Sequence, residues 1–216
     1  MRRPAFLMIA LLPVALLAAC AEMRQPPEFA RIPPGLGVAS ADPVPAMIAE
    51  AAAAFSDGGA SLNGRPAEAA RAIGQMELVA EAFRRNPRWA PVSAATVTEL
   101  RTARTEWRQA IGIPETAAPE TVAVALGQAS LALRENDTQR AAAALAPAAF
   151  MPGGAPAIAR LAAPGPLPQA RIASALARDE VARMARMQLG GVTGALDPDA
   201  PFLNSLTGAQ IPGTMR

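Results

Sequence analysis

Apolar residues recur every three or four positions over most of the chain. From about residue 46 to 189 this spacing continues without the sustained alternation that a half-buried strand would show. Alanine, the best helix former, occupies most of the remaining positions. The pattern predicts an all-α domain, built as a small helical bundle or as stacked helical hairpins.

Prolines, glycines and an Asn-Asp pair divide this region into helices. Pro66 suits a first helical position, Gly112 suits a left-handed cap, and Asp137 suits an N-cap. The predicted helices cover about 45–56, 66–86, 92–111, 119–135, 138–146, 156–162 and 168–189. For the last helix the expected buried stripe is Ile172, Leu176, Val181 and Met184.

The segments on either side of the domain lack this periodicity. Residues 20–45 are rich in proline and predict an extended tether. The alternative is a strap that lies on the domain and uses Phe29, Ile32 and Leu36 as contacts. Residues 190–216 mix Gly, Pro, Asn and Thr, which predicts an irregular tail.

The first 20 residues carry the clearest motif in the chain. Arg2 and Arg3 precede an uncharged apolar run over 5–19, which is too short to span a bilayer. The run ends in Leu17-Ala18-Ala19-Cys20, and Cys20 is the chain's one cysteine. This arrangement resembles the lipobox of bacterial lipoprotein precursors.

The resemblance implies a specific maturation. Residues 1–19 would be a signal peptide cut off before Cys20, whose sulfur would carry a diacylglyceryl group and whose new amino group would be acylated as well. The mature chain would have 216 minus 19, or 197, residues. In that class Asp after the cysteine retains the protein in the inner membrane. Because Ala21 stands there, we expect the periplasmic side of the outer membrane.

Composition narrows the possible chemistry. The chain has no His and no Tyr, so an imidazole base and a His-containing metal site are excluded, and one Cys cannot form an internal disulfide. Lys+Arg total 20 and Asp+Glu total 18, but Arg2 and Arg3 lie in the predicted signal, which leaves 18 against 18. We therefore expect no nucleic-acid partner, no metal and no cofactor other than the lipid on Cys20.

Paired carboxylates are the catalytic option that remains. Glycoside hydrolysis uses two carboxyl groups, so a carboxylate-dependent cell-wall hydrolase is one alternative. The candidate pairs are Glu77 with Glu81, Glu115 with Glu120, and Asp197 with Asp199. In the competing interpretation Glu77 and Glu81 lie on a solvated helix face, and Asp197 and Asp199 belong to an ordinary turn rather than a calcium loop.

A basic cluster follows the second predicted helix. Arg84, Arg85 and Arg88 beside Trp89 could hold a phosphate or carboxylate ligand. In the competing interpretation the arginines complement the C-terminal dipole of the helix and Trp89 packs over the turn.

Two stretches share a polar turn followed by a helix that opens with small residues. They are residues 62–73 (LNGRPAEAARAI) and 133–145 (LRENDTQRAAAAL), and Leu126-Gly127 precedes the second. This form resembles tetratricopeptide-like hairpins, which implies a scaffold of stacked hairpins. The aromatic positions and the clean repeat interval of that family are absent.

Together these patterns predict a lipid-anchored envelope protein that has no catalytic residues. We expect it to contact the membrane through its acyl chains and to act in envelope structure or by binding an envelope protein.

Overall fold

The computed structural model describes residues 32–146 and 148–196, with side chains to Met187 in the last helix. This part of the chain is helical and contains no strand. Its helices are α1 Pro43–Ala54, α2 Pro66–Arg85, α3 Ala94–Ile111, α4 Pro119–Arg134, α5 Thr138–Ala144, α6 Ala155–Ala162 and α7 Pro168–Leu196, with single 3-10 turns at Ala60–Leu62 and Pro87–Trp89. The predicted all-α fold is confirmed.

Local signals set most helix ends. Pro66 and Pro119 stand in the first turns of α2 and α4. The Ser93 hydroxyl accepts a hydrogen bond from the Thr96 amide at 3.2 Å, and the Asp137 carboxylate accepts one from the Arg140 amide at 2.9 Å. Gly112 ends α3 with a left-handed φ of 78°. These ends therefore follow from residues adjacent in sequence.

The predicted ends of α1 and α7 need correction. Helix α1 begins at Pro43 rather than 45, because proline is tolerated throughout the first turn, where amide donors have no intrahelical partner. Helix α7 continues to Leu196, past Gly190 and Gly191. Glycine in a helix interior costs about 1 kcal/mol relative to alanine, so it weakens a helix without ending it.

Helix α2 lies at the centre of the bundle and contacts α1, α3, α4 and α6. Its buried face includes Ala69, Ile73, Met76 and Phe83. The bulkiest fully buried side chains are Trp107, Phe55 and Phe150. Since these three come from distant parts of the chain, one core joins the described helices.

Helix α7 buries only part of the predicted stripe: Met184 is buried and Val181 packs against the core, as predicted. Ile172 and Leu176 are 37% and 38% exposed, while Ala170, Ala173 and Ala177 are fully buried. The prediction was wrong for the first half of the helix, because it assigned Ile172 and Leu176 to the core. Helix α7 packs against α3 and α1 through alanines, which allow helix backbones to approach closely.

Residues 32–42 lie on the bundle as a strap. Leu36 is fully buried between α2 and α4. Residues 32–42 lie as the strap alternative predicts, with Leu36 as a buried contact. The signal peptide, Cys20, the rest of the predicted tether with Phe29, and residues 197–216 lie outside the described residues.

None of the helices within 32–196 combines the length and the apolar character that crossing a bilayer requires.

Candidate functional site

The predicted basic cluster lies at the end of α2, and its arginines face carboxylates. Arg84 Nη2 lies 2.6 Å from Glu81 Oε1, and Arg85 pairs with the same carboxylate. Arg85 Nη1 also lies 3.5 Å from Glu120 Oε1 at the start of α4. The Glu81 hydrogen bond and charge raise the pKa of Arg84. These two arginines therefore link α2 internally and to α4.

Arg88 and Trp89 occupy the turn after α2. The Arg88 guanidinium pairs with Asp42, donating from Nη1 at 3.1 Å, and lies over the Trp89 ring at 4.6 Å from its centroid. Trp89 is buried and packs on Phe83 with ring centroids 5.2 Å apart. The indole thus covers the turn, and Arg88 ties the turn to the end of the strap.

Glu77 and Glu81 lie inside the protein, not on a solvated helix face. Their side chains are 0% and 3% exposed. Glu77 Oε1 accepts hydrogen bonds from Trp107 Nε1 at 2.9 Å and Arg108 Nε at 2.7 Å. Glu77 Oε2 accepts from Arg104 Nε at 2.9 Å and Arg108 Nη2 at 2.8 Å. The carboxylate is therefore enclosed by donors from α3.

The same cluster organises the loop between α3 and α4. Arg108, almost fully buried, donates from Nη1 to the backbone oxygens of Pro114, Glu115 and Ala117 at 3.3, 3.1 and 3.0 Å. One guanidinium thus satisfies a buried carboxylate and three loop carbonyls. This use of all its nitrogens explains why the side chain tolerates burial.

The electrostatics keep Glu77 ionised. Burial alone would raise its pKa, but the hydrogen bond from Arg108 and the charges of Arg104 and Arg108 outweigh burial and hold the pKa below its ordinary value. Arg104 Nη2 lies 3.9 Å from Glu81 Oε2, which joins this cluster to Arg84 and Arg85. A carboxylate in this environment is a poor proton donor near neutral pH, and it has no contact with solvent.

The second predicted acid pair, Glu115 and Glu120, lies on the exposed surface. Glu115 is exposed in the loop that Arg108 organises, and Glu120 faces Arg85. Asp197 and Asp199 lie outside the described residues. Among residues 32–146 and 148–196, no group of three or more Asp or Glu could hold a metal ion.

The open grooves on the described surface include the following two. One, of about 560 Å³, runs between α4 and α5 beside Leu131 and the Glu135–Arg140 ion pair. The other, of about 700 Å³, lies between α3 and the start of α7. In the second groove Glu106 accepts hydrogen bonds from the first amides of α7, Gln169 at 3.0 Å and Ala170 at 2.9 Å. That helix end is thus already capped by a carboxylate.

A clamp that holds the strap was not predicted from the sequence. Arg71 Nη1 donates to Gly35 O at 2.7 Å, Arg71 Nη2 donates to Gly37 O at 2.8 Å, and Gln75 Nε2 donates to Leu36 O at 3.1 Å. Glu50 Oε2 accepts from Arg71 and Gln75 at 2.8 Å each and orients both donors. Gly74 and Gly127, inside helices, were the available sequence signal, because glycine there is costly without a packing reason.

No protein-family model matches the chain, and neither a curated protein nor a solved structure matches it.

Proposed function

We propose that the mature chain is a lipid-anchored envelope protein whose helical body acts without catalysis, by binding a protein partner in the envelope. The observation that carries the proposal is the order of Arg2-Arg3, the apolar run over 5–19 and Leu17-Ala18-Ala19-Cys20. Each part has the position that lipidation at Cys20 requires.

The energetics favour stable attachment. Burying a methylene contributes about 0.8 kcal/mol, so one acyl chain binds a membrane only marginally, whereas two or three together hold a protein there. The mature chain has balanced charge, 18 arginines against 18 acids, so the acyl chains rather than electrostatic attraction would supply the membrane affinity.

The arrangement of the body supports a binding role. Glu77 and Glu81, the first predicted acid pair, are enclosed by arginines and shielded from solvent. The aromatic side chains within 32–187 are at most 6% exposed, so they are not available to stack on a sugar. These side chains are Phe55, Phe83, Trp89, Trp107 and Phe150. The two open grooves remain as surfaces for a protein segment.

Lipidation is tested by growing the native host with an alkyne fatty acid and labelling the recovered protein. We expect wild type to incorporate the label, and Cys20→Ser to lose it and accumulate as the longer precursor. Ala21→Ser is the matched control because it changes the adjacent residue and keeps the thiol. Equal labelling of wild type and Cys20→Ser would refute the proposal.

Membrane location is tested separately by density-gradient separation of the two membranes. Wild type is expected in the outer-membrane fraction, and Ala21→Asp is expected to move to the inner-membrane fraction. Recovery of wild type in the inner membrane would contradict the location but not the lipidation.

Partner binding is tested by photo-crosslinking in cells, with the photoreactive residue placed at Gln109 in the α3–α7 groove or at Gln128 in the α4–α5 groove. We expect one groove to yield a discrete crosslinked protein band. Loss of that band when excess wild-type protein without the photoreactive residue is produced in the same cells would show that the contact is specific. Absence of a band from both grooves would contradict binding at these surfaces.

A further inference from the structure

The strap, residues 32–42, is the part of the described body closest in sequence to Cys20, and its backbone carbonyls are bound directly. The Arg71 and Gln75 side chains hold three successive carbonyls, those of Gly35, Leu36 and Gly37. Three consecutive anchored peptide groups leave this part of the chain little freedom to slide.

Two helix glycines provide the space for the strap. A Cβ added at Gly127 would lie 2.4 Å from Pro34 O, and one added at Gly35 would lie 2.2 Å from Gly127 O. Strap and helix α4 are therefore in direct backbone contact. Gly74 on α2 has the Leu36 side chain 2.8 Å from the position its Cβ would take. Both helices thus have a glycine, which is less favourable in a helix than alanine, at the point where the strap crosses them.

The clamp side chains are themselves held in place. Arg71 is only 17% exposed and pairs with Glu50 Oε2 at 2.8 Å. The hydrogen bonds from Gln75 and Arg71 outweigh burial and keep the pKa of Glu50 below its ordinary value. The strap therefore binds to a prepared surface formed by α1, α2 and α4.

We propose that the strap is where the lipid anchor is fastened to the body: it stays bound to α2 and α4 in the anchored protein, so that residues 21–31 alone separate the lipid from the folded domain. This inference rests on the proposed lipidation of Cys20. We call residues 21–31 the spacer. Because Arg71, Gln75, Gly74 and Gly127 hold the strap on the body, they set where the spacer ends and therefore its length.

The consequence is a short reach. The 12 Cα steps from Cys20 to Ile32 span at most about 43 Å when fully extended. With the strap released, the 22 steps from Cys20 to Asp42 would span up to about 79 Å. A bound strap therefore restricts the partner to structures close to the membrane surface.

The test uses the full-length gene expressed in the native host, with membranes isolated and treated with thermolysin. This protease cuts before large apolar residues, so Phe29 reports the spacer, and Leu36 and Val38 report the strap. Intact mass of the released body identifies the cut. In wild type we expect release at Phe29 and cleavage at Leu36 or Val38 about 100-fold slower, because a bound site is cut only when it opens.

Two variants release the strap by different means. Gly127→Ala raises helix propensity in α4 but places a methyl group against Pro34 O, and Gln128→Ala on the exposed side of α4 is its matched control. Arg71→Met removes two clamp bonds and leaves α4 unchanged. We expect both releasing variants to shift cleavage to Leu36 and Val38, and Gln128→Ala to behave as wild type. Cooperative urea unfolding of each variant shows that the body is folded.

The outcomes separate the two proposals. Wild-type cleavage at Leu36 or Val38 as fast as at Phe29 would overturn the strap inference, as would unchanged cleavage in both releasing variants. Fatty-acid labelling and pelleting with membranes report lipidation alone. If the protein is found soluble and unlabelled, the same digestion still reports whether the strap is bound, and the anchoring role fails with the lipid.

Discussion

Replacing Glu77 by glutamine removes the negative charge at the centre of the bundle with almost no change in shape. The carboxylate accepts four hydrogen bonds from Arg104, Trp107 and Arg108. A glutamine amide offers one oxygen, and its NH₂ group would face donors. At least two donors would lose an acceptor, and buried Arg108 would lose its nearest counter-charge.

The magnitude follows from two independent considerations. Breaking a buried ion pair by removing one partner costs about 3–5 kcal/mol. Two lost hydrogen bonds to charged groups, at about 1.5–3 kcal/mol each, give a similar range. The free energy of unfolding of a typical protein is about 5–15 kcal/mol, so the substitution removes a large fraction of the stability. With an m-value of about 2 kcal/mol/M, the urea midpoint falls by about 2 M.

The assay is equilibrium urea unfolding followed by fluorescence of Trp89 and Trp107. The matched control is Glu135→Gln, which alters an exposed ion pair with Arg140 and should cost less than about 1 kcal/mol. A Glu77→Gln variant within about 1 kcal/mol of wild type would refute the assignment of Glu77 as a buried, fully engaged carboxylate.

The pH dependence has a definite sign. The pKa of Glu77 is below its ordinary value of 4.5 in the folded protein, so its contribution is present above that value and is lost as the pH falls through the folded pKa. The stability difference between wild type and Glu77→Gln should therefore be constant from about pH 6 to 8 and narrow below about pH 4.5. A difference that widens on acidification would contradict the direction of the shift.

Five further substitutions test the packing and the helix ends by the same urea measurement. Asp137→Ala removes the side-chain cap of α5 and should cost about 1 kcal/mol; no loss would show that the cap is dispensable. Ala173→Leu, on the buried face of α7, should lower the free energy of unfolding by about 1–3 kcal/mol through overpacking. Leu176→Ala, on the exposed side, should change it by less than about 1 kcal/mol. A larger loss for Leu176→Ala than for Ala173→Leu would show that Leu176 lies on the buried face. Gly112→Ala should destabilise the protein more than Gly58→Ala. Both glycines have a left-handed φ, but a Cβ added at Gly112 would also lie 2.8 Å from Met151 O, whereas one added at Gly58 would meet no atom. Equal losses would show that the left-handed φ alone accounts for the destabilisation.

The helices were predictable because their determinants are local. Pro66, Ser93, Gly112 and Asp137 act on amides and carbonyls within one turn of their own positions. The fold class followed from apolar spacing in the same way. These signals do not depend on residues distant in sequence. Most predicted helix ends therefore lie within about two residues of the observed ones.

The prediction for the first half of α7 failed because the pattern does not show whether an alanine is buried. Ala173 and Ala177 carry little hydrophobic weight, and Ile172 and Leu176 carry much, so the pattern favoured the wrong side. Contact with α1 and α3 selected the small residues instead, because they allow the helices to approach.

The candidate sites show the same division. Arg84, Arg85 and Arg88 were recognisable as a cluster, but the carboxylates that face two of them, Glu120 and Asp42, come from distant parts of the chain. A sequence shows charges, and only the tertiary structure shows which opposite charges lie nearby.

The sequence by itself determined the helical class, most helix ends and the absence of imidazole and phenol chemistry, and the resemblance of its first 20 residues to a lipobox motivates the proposed anchoring at Cys20. The tertiary structure decided that Glu77 is buried among arginines, that α7 turns its alanines inward, and that residues 32–42 are a bound strap. The difference is physical: propensity and capping act within a few residues, whereas burial and ion pairing depend on groups such as Gly35 and Gly127 that are 92 positions apart in sequence and in contact in space.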